Sequence, residues 1–237
     1  MEFELDTQLV HGTLADEKAR TRADLSEAGP IVALERSQTR HDARLATAAD
    51  APTLACKAGC FWCCYFSVDV RPIEVLRIAE FMEHELAAED RERITGEIRT
   101  NSVVLGALDD DARLRSNTKC PFLHLGRCSI YAVRPQTCRN YHATNAAGCK
   151  QAYEEPYNDD IDPDFAPLVY QSGRAHVDAF SDVMKANGYD MDAYELNCAM
   201  AVALEDPVGT RQRFDSQERV FPTLDGVEVP SEFLDSE

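Results

Sequence analysis

Cys56-Lys57-Ala58-Gly59-Cys60-Phe61-Trp62-Cys63-Cys64 places four cysteines within nine residues. Four more follow at Cys120, Cys128, Cys138 and Cys149, while Cys198 stands alone. Thiolates are soft, charged donors that hold zinc and iron strongly. Two close cysteines on a turn reach one ion at little loop-closure cost. Isolated cysteine is commonly a small core residue, and Cys198 reads that way. Eight cysteines in two groups instead read as candidate metal ligands: Cys56, Cys60, Cys63, Cys64, Cys120, Cys128, Cys138 and Cys149. The adjacent Cys63-Cys64 pair bears on nuclearity, because neighbouring side chains diverge. Either both bind, in a polynuclear cluster or at two metals, or one of them supports the site or acts as a redox thiol.

Working outward, the residues around this stretch read as helical. Glu17 to Leu45 is mostly helical and broken near Gly29-Pro30, with few apolar positions, so it is expected to lie as an arm along the body. Ala46 to Thr53 is a small-residue linker. After Ser67-Val68-Asp69-Val70, a short alternating run, Pro72 opens a helix where its missing N–H does no harm. Val75, Ala79, Met82 and Leu86 form its buried stripe. A second helix starts near Asp90, a candidate N-cap, and carries Ile94, Ile98, Leu105 and Leu108. Asp109-Asp110-Asp111 reads as a charged turn. Lys119 to Cys149 holds Pro121, Gly126, Pro135 and Gly148, which argue for irregular backbone ordered by a bound metal. Tyr153 to Pro163 is acidic and turn-rich. From Asp164 a helix runs to Gly188, and Asp190 is positioned to cap the next, which carries Tyr194, Cys198, Ala201 and Val202. Beyond Pro207 periodicity is weak and the chain ends in an acidic tail. The expected fold is mainly α, a helical domain with an irregular cysteine-rich metal-binding segment. It divides into an N-terminal helical arm over 1–50, a cysteine-cluster metal-binding domain over 51–150, and a C-terminal helical extension over 151–237 packed on the same body.

Composition bounds the function. The chain has 237 residues and is 44% hydrophobic, close to the usual globular share of roughly 45–50%. A core is available without staples, so the cysteines need another role. The formal net charge is -18, a field that repels phosphate backbones and anionic headgroups. Nucleic acid and membrane are therefore set aside as partners. Metal cations, basic protein segments or cationic substrates fit, and the plainest role of the acidity is solubility. Met1 to Leu14 carries Glu2, Glu4 and Asp6 and lacks the basic start and apolar run of a secretory signal. No apolar run approaches the roughly 20 residues of a membrane span. A cytoplasmic, reducing setting is expected, where clustered cysteines bind metal or do redox work.

The ordered pattern resembles a known family. Its carriers are Cys56 to Cys64, then Pro72-Ile73-Glu74 at a helix start, Cys120-Pro121-Phe122-Leu123, and Gly126-Arg127-Cys128-Ser129-Ile130-Tyr131. Arg134-Pro135-Gln136-Thr137-Cys138-Arg139 and Cys149 complete it. The combination resembles the YkgJ-type cysteine-cluster family, also called the CxxCxxCC domain, a zinc- or iron-chelating domain. The first gap holds three residues here rather than two. Tyr194-Glu195-Leu196 and Leu204-Glu205-Asp206-Pro207 resemble the tails of longer members. The resemblance implies a metal centre without supplying a reaction. A related branch includes a flagellin lysine methylase. Cys56, Cys60 and Cys63, with an aromatic before the last, also resemble the cluster loop of radical S-adenosylmethionine enzymes, in which three thiolates hold a four-iron cluster.

Arg134 and Arg139 flank Cys138 and are the candidate cofactor-binding residues. Guanidinium donors offset the charge of a multi-thiolate site, and their alternative is a grip on an anionic substrate or a structural carboxylate. His142, on the same segment, is a candidate ligand or proton carrier, although a lone histidine on a loop is more often neither. Trp62 is expected to cover the site. Three functions compete. One is a closed zinc site in a protein-interaction module. The second is an iron–sulfur cluster with redox or S-adenosylmethionine-dependent activity on a small-molecule or protein substrate. The third is a thiol redox protein built on Cys63-Cys64, disfavoured because vicinal disulfides are strained. More cysteines are present than one closed zinc site uses. The iron–sulfur cluster is therefore preferred and zinc kept as the alternative, with enzymatic activity left open.

Overall fold

The computed structural model describes residues 4–57, 59–161 and 163–222. The acidic tail expected at the C-terminus lies largely outside them. The mainly α expectation holds. Helix α1 (Thr7–Thr47) is followed by short strand β1 (Asp69–Val70), then α2 (Pro72–Glu85), α3 (Ala88–Gly106) and α4 (Asp110–Leu114). Strands β2 (Leu123–His124) and β3 (Arg127–Cys128) precede α5 (Gln136–Asn140) and α6 (Ala146–Glu154). Then come α7 (Pro167–Ala186), strand β4 (Tyr194–Glu195), α8 (Leu196–Glu205) and α9 (Pro207–Asp215).

Helix α1 breaks where the sequence places Gly29-Pro30. Gly29 has φ 81° and ψ 179°, a conformation that a Cβ would strain. The chain reverses there, and the arms 7–28 and 30–47 run antiparallel. Arg36 meets Asp24 at 2.8 Å, Arg40 meets Glu17 at 2.7 Å, and Arg44 meets Asp16 at 2.9 Å. The expected single arm is thus a hairpin, and α7 packs along it. The few apolar positions follow from this. The interior of this three-helix layer holds Glu17, Thr21, Ser37, Gln38, His41 and His176, all nearly or fully buried.

A second layer holds the apolar core. Ile73, Val75, Ile78 and Met82 of α2, Ile94 and Ile98 of α3, and Met200 and Ala203 of α8 pack together. Phe180 and Met184 of α7 join the same cluster, so it reaches across to the first layer. Val68 and Val70 close its edge, where β1 pairs antiparallel with β4 (Asp69 with Glu195, Val70 with Tyr194). Phe122, Ile130 and Val133 sink into this core from the cysteine-rich segment. Those three side chains anchor a stretch that has little ladder of its own.

Several local expectations need correction. Helix α3 begins at Ala88, and Asp90 sits in its first turn, bonded to Arg93 at 3.2 Å, without capping it. A carboxylate there is stabilised by the helix dipole without being the cap. The Asp109 triplet opens α4, with Asp109 accepting from the Ala112 N–H at 2.8 Å. Glu195, not Asp190, caps α8 by accepting from the Cys198 N–H at 2.8 Å. Asp190 instead holds the Asp192 and Val220 N–H groups and the Tyr194 hydroxyl. After Pro207 the chain forms α9, capped by Asp206 on the Gly209 N–H. Only Thr210 and Phe214 of α9 are buried, a stripe too sparse to stand out as periodicity.

Candidate metal centre

The four clustered cysteines sit on tight, non-repeating backbone. Cys60 donates its N–H to Lys57 across a turn at 2.9 Å, with Gly59 at φ 89°. Trp62–Tyr65 then form one turn of 3₁₀ helix carrying Cys63 and Cys64. The carbonyl of Cys64 accepts the Cys120 N–H at 2.7 Å, a direct backbone link between the two cysteine groups. Leu125 and Gly126, both with positive φ, turn the β2–β3 hairpin. That hairpin sets Leu123 opposite Cys128, and the Leu123 N–H bonds back to the Cys120 carbonyl. Cys138 arrives on α5 and Cys149 on α6. Cys56 is tied to the same region, since the Ala55 N–H and the Cys56 thiol both reach the Ala143 carbonyl.

The eight thiols fall into two sets. Cys63, Cys64, Cys120, Cys128 and Cys138 lie within one another's electrostatic reach. Cys56, Cys60 and Cys149 form the other, and Cys63 acts on Cys56 and Cys149 as well. Cys63 is therefore common to both. Among the described residues, all cysteines are free thiols. Cys149 is buried, Cys56 is exposed, and the other six of the eight are half-buried. No group of three or more His, Cys, Asp or Glu side chains among the described residues stands closed around a metal position. The sequence-predicted residues are brought into one neighbourhood as thiols. Cys198 lies elsewhere, on α8, with its thiol toward the Ser102 carbonyl of α3.

Burial raises the Cys120 thiol to about 12 and the Cys149 thiol to about 11, and lifts Cys138 well above the ordinary range. Burial also raises Cys56 and Cys128. Cys63 moves the other way. A hydrogen bond from Cys64 lowers it, with the Arg134 charge helping. The same bond and burial push Cys64 far upward. Ion binding at such thiols must displace their protons. The donor set itself, all sulfur, fits zinc or iron and suits neither magnesium nor calcium.

The surroundings are built by more distant elements. Glu74 is buried at the start of α2 and accepts from the Arg71 N–H at 2.9 Å and the Gln136 N–H at 2.6 Å. One carboxylate thus joins the starts of α2 and α5, beside Cys138. Burial raises the Glu74 carboxyl. Arg139 is almost fully buried and engages Asp42 of α1 together with the Arg134 and Ala132 carbonyls. Its donors are spent on structure. Arg134 reaches Asp42 at 3.7 Å, covers the Tyr131 ring at 3.9 Å, and acts electrostatically on Cys63 and Cys128. Of the two arginines, only Arg134 is placed to favour thiolate. Trp62 packs between Phe61 and Tyr153, and Tyr65 closes on Tyr153 at 4.8 Å, so an aromatic cover lies beside Cys63. His142 is half-buried, with its basicity lowered by burial.

Sequence reasoning misses Asp42 and Tyr153 as parts of the centre. Asp42 lies about a hundred residues from its partners on a charge-rich helix, where only the fold tells it from a solvated acid. Residues 55–159 match the model of the family named CxxCxxCC, described as "Putative zinc- or iron-chelating domain". No curated protein and no solved structure matches the chain.

Proposed function

With residues 55–159 matching the CxxCxxCC model of zinc- or iron-chelating domains, we propose that this chain holds an iron–sulfur cluster. The observation that carries this reading is Cys63 serving as a common neighbour of two thiol sets. One closed zinc site uses four ligands, whereas five thiols share the first set alone. Cys63, Cys64, Cys120, Cys128 and Cys138 would hold the cluster. Cys56, Cys60 and Cys149 would complete it or hold a second iron. Bound there, a cluster would supply one-electron redox chemistry tuned by burial and by the charge of Arg134. The chain's own part is to deliver thiolates, starting from Cys63, and to exclude water with Phe61, Trp62, Tyr65 and Tyr153. The free thiols and the acidic surface suit a reducing compartment.

Structural zinc is the second reading. The irregular backbone of 119–149 favours it, because a metal staple would order such a segment. The test is metal and acid-labile sulfide analysis with an absorption spectrum on anaerobically purified protein. Iron, sulfide and broad visible absorption are expected, with at least tenfold loss of iron in Cys63→Ser and Cys128→Ser. Cys198→Ser keeps the full content. A colourless protein with stoichiometric zinc would establish the second reading, and unchanged metal in both site variants would overturn the assignment of these ligands.

A further inference from the structure

The charge of the chain is segregated. Residues 51–68 and 112–153, the two stretches that carry the eight clustered cysteines, hold eight Lys and Arg and no Asp or Glu. All 42 acidic residues lie elsewhere, against 16 of the 24 basic ones. Folding brings the two stretches together through the Cys64–Cys120 and Ala55–Ala143 backbone bonds. Six of their eight cations meet carboxylates that flanking stretches supply, and Arg134 and Arg139 share Asp42. Lys57 and Arg127 are exposed and, among the described residues, have no ion-pair partner.

These two cations lie on neighbouring loops. Lys57 starts the turn that its carbonyl closes on the Cys60 N–H at 2.9 Å. Arg127 precedes Cys128 on the β2–β3 hairpin. The loops touch, since a Cβ built on Gly126 would lie 3.8 Å from the Phe61 ring. At the hairpin tip Leu125 is 87% exposed and has φ 48°. That left-handed conformation strains most side chains, and Asn or Asp is the usual occupant after glycine. An apolar residue held in such backbone and left in water adds nothing to the core. Tyr131 is 64% exposed, and the Arg134 guanidinium lies over its ring at 3.9 Å. Two free cations, an exposed tyrosine and an apolar tip thus border the cysteine centre.

Thiolate charge alone does not account for this face. Water and salt screen an exposed cation, and Arg134 already supplies positive charge from a half-buried position. We propose that Lys57, Leu125, Arg127 and Tyr131 form a docking face for an acidic protein segment in which carboxylates alternate with apolar side chains. Its carboxylates pair with Lys57 and Arg127, and its apolar side chains cover Leu125 and Tyr131. Arg and Tyr are among the residue types that concentrate binding energy at protein interfaces. The cations sit on two loops beside an apolar tip, an arrangement spread too widely for one small anion. A nucleic acid would leave Leu125 uncovered, and the acidic body would repel its backbone. That body also turns a carboxylate-bearing partner away from the rest of the surface, so charge orients the encounter. The face goes beyond the cluster reading and is the same for iron or zinc.

The test is fluorescence anisotropy of a labelled peptide of repeating Glu-Phe-Glu, titrated with the metal-loaded full chain at low salt. A Gln-Phe-Gln peptide is the neutral control. The Glu peptide is expected to bind at least about tenfold tighter and to weaken as salt is raised. Reversing both cations, Lys57→Glu with Arg127→Glu, should weaken it by at least about tenfold, while Arg22→Glu, at an exposed position of α1, should change it by less than about twofold. Leu125→Asp is the variant least able to disturb the fold, because Asp suits the backbone there, and it too should lose binding. Metal content measured on every sample keeps this apart from the ligand assignment, and if the double variant loses its metal, Leu125→Asp decides alone. Equal affinity for the two peptides, or unchanged binding in Leu125→Asp, would overturn the proposal. So would tighter binding of a single-stranded oligonucleotide than of the Glu peptide.

Discussion

Gly148 precedes Cys149 on α6, and a Cβ built there would lie 2.9 Å from Pro163 Cα and 3.2 Å from the Asn145 side chain. Backbone cannot yield as a side-chain tip can. Overpacking costs about 1–3 kcal/mol, against about 1 kcal/mol of helix preference gained by alanine. Gly148→Ala is therefore expected to be net destabilising. Gly96 is the control. It lies in the exposed middle of α3, where an added Cβ meets nothing within 4 Å. Gly96→Ala is expected to stabilise by about 0.5–1 kcal/mol. Urea denaturation of the two variants checks both signs, and a stable Gly148→Ala would show that the backbone at Pro163 gives way to α6. At this scale the sequence shows the thiols clearly, because closely spaced cysteines in a chain with an adequate apolar core serve little besides metal or redox chemistry. It does not show that Glu17, His41 and His176 are buried. Polar residues on a helix read as solvated until a second helix covers them, and the pairing of α1 with α7 joins positions more than a hundred residues apart.

Among elements, the sharpest contrast is between the α1 hairpin and the segment from Lys119 to Cys149. The hairpin is closed by ion pairs at Arg36, Arg40 and Arg44 and covered by α7. The segment holds two two-residue strands and the short helix α5, with α6 beginning at its end. Removing metal with a chelator should therefore raise amide hydrogen exchange in 119–149 while leaving 30–47 and 167–186 protected. Equal protection of all three with and without chelator would mean that Phe122, Ile130 and Val133 anchor the segment unaided. The sequence locates the α1 break, because Gly29-Pro30 interrupts a helical run. It does not reveal a reversal, since that depends on which face each arm buries. Helices α4 and α9 escape notice because they are short and bury few side chains.

For the whole molecule, the buried titratable groups predict opposite slopes with pH. His41 and His176 drop from 6.5 to about 3 on folding. Between those values the unfolded chain binds protons that the folded chain refuses, so stability present above pH 6.5 is lost as pH falls toward 3. Cys120 rises from 9.0 to about 12, and its contribution in the metal-free chain is full below pH 9 and lost as pH rises toward 12. Metal-free protein should give a stability maximum near neutrality in urea titrations across pH. Metal-loaded protein should lack the decline beginning at pH 9, because its ligating thiols are already ionised when folded. A metal-free chain with flat stability from pH 6.5 down to 4 would show that the two imidazoles are not buried neutral.

Asp42 belongs to the second arm of α1, yet it holds the two arginines on either side of Cys138. Asp50, in the linker after α1, accepts from the Leu168 and Val169 N–H groups at the start of α7. Strand β1 finds its partner in β4, well beyond the cysteine-rich segment. The stretch recognisable from 55 to 159 is thus walled by residues on both sides of it. Cut out or transplanted into another chain, it would leave Arg139 buried without its counter-charge and Val70 without its neighbouring strand. The recognisable motif is therefore expected to fold only with both flanks, which a host protein would have to carry along with the cysteines.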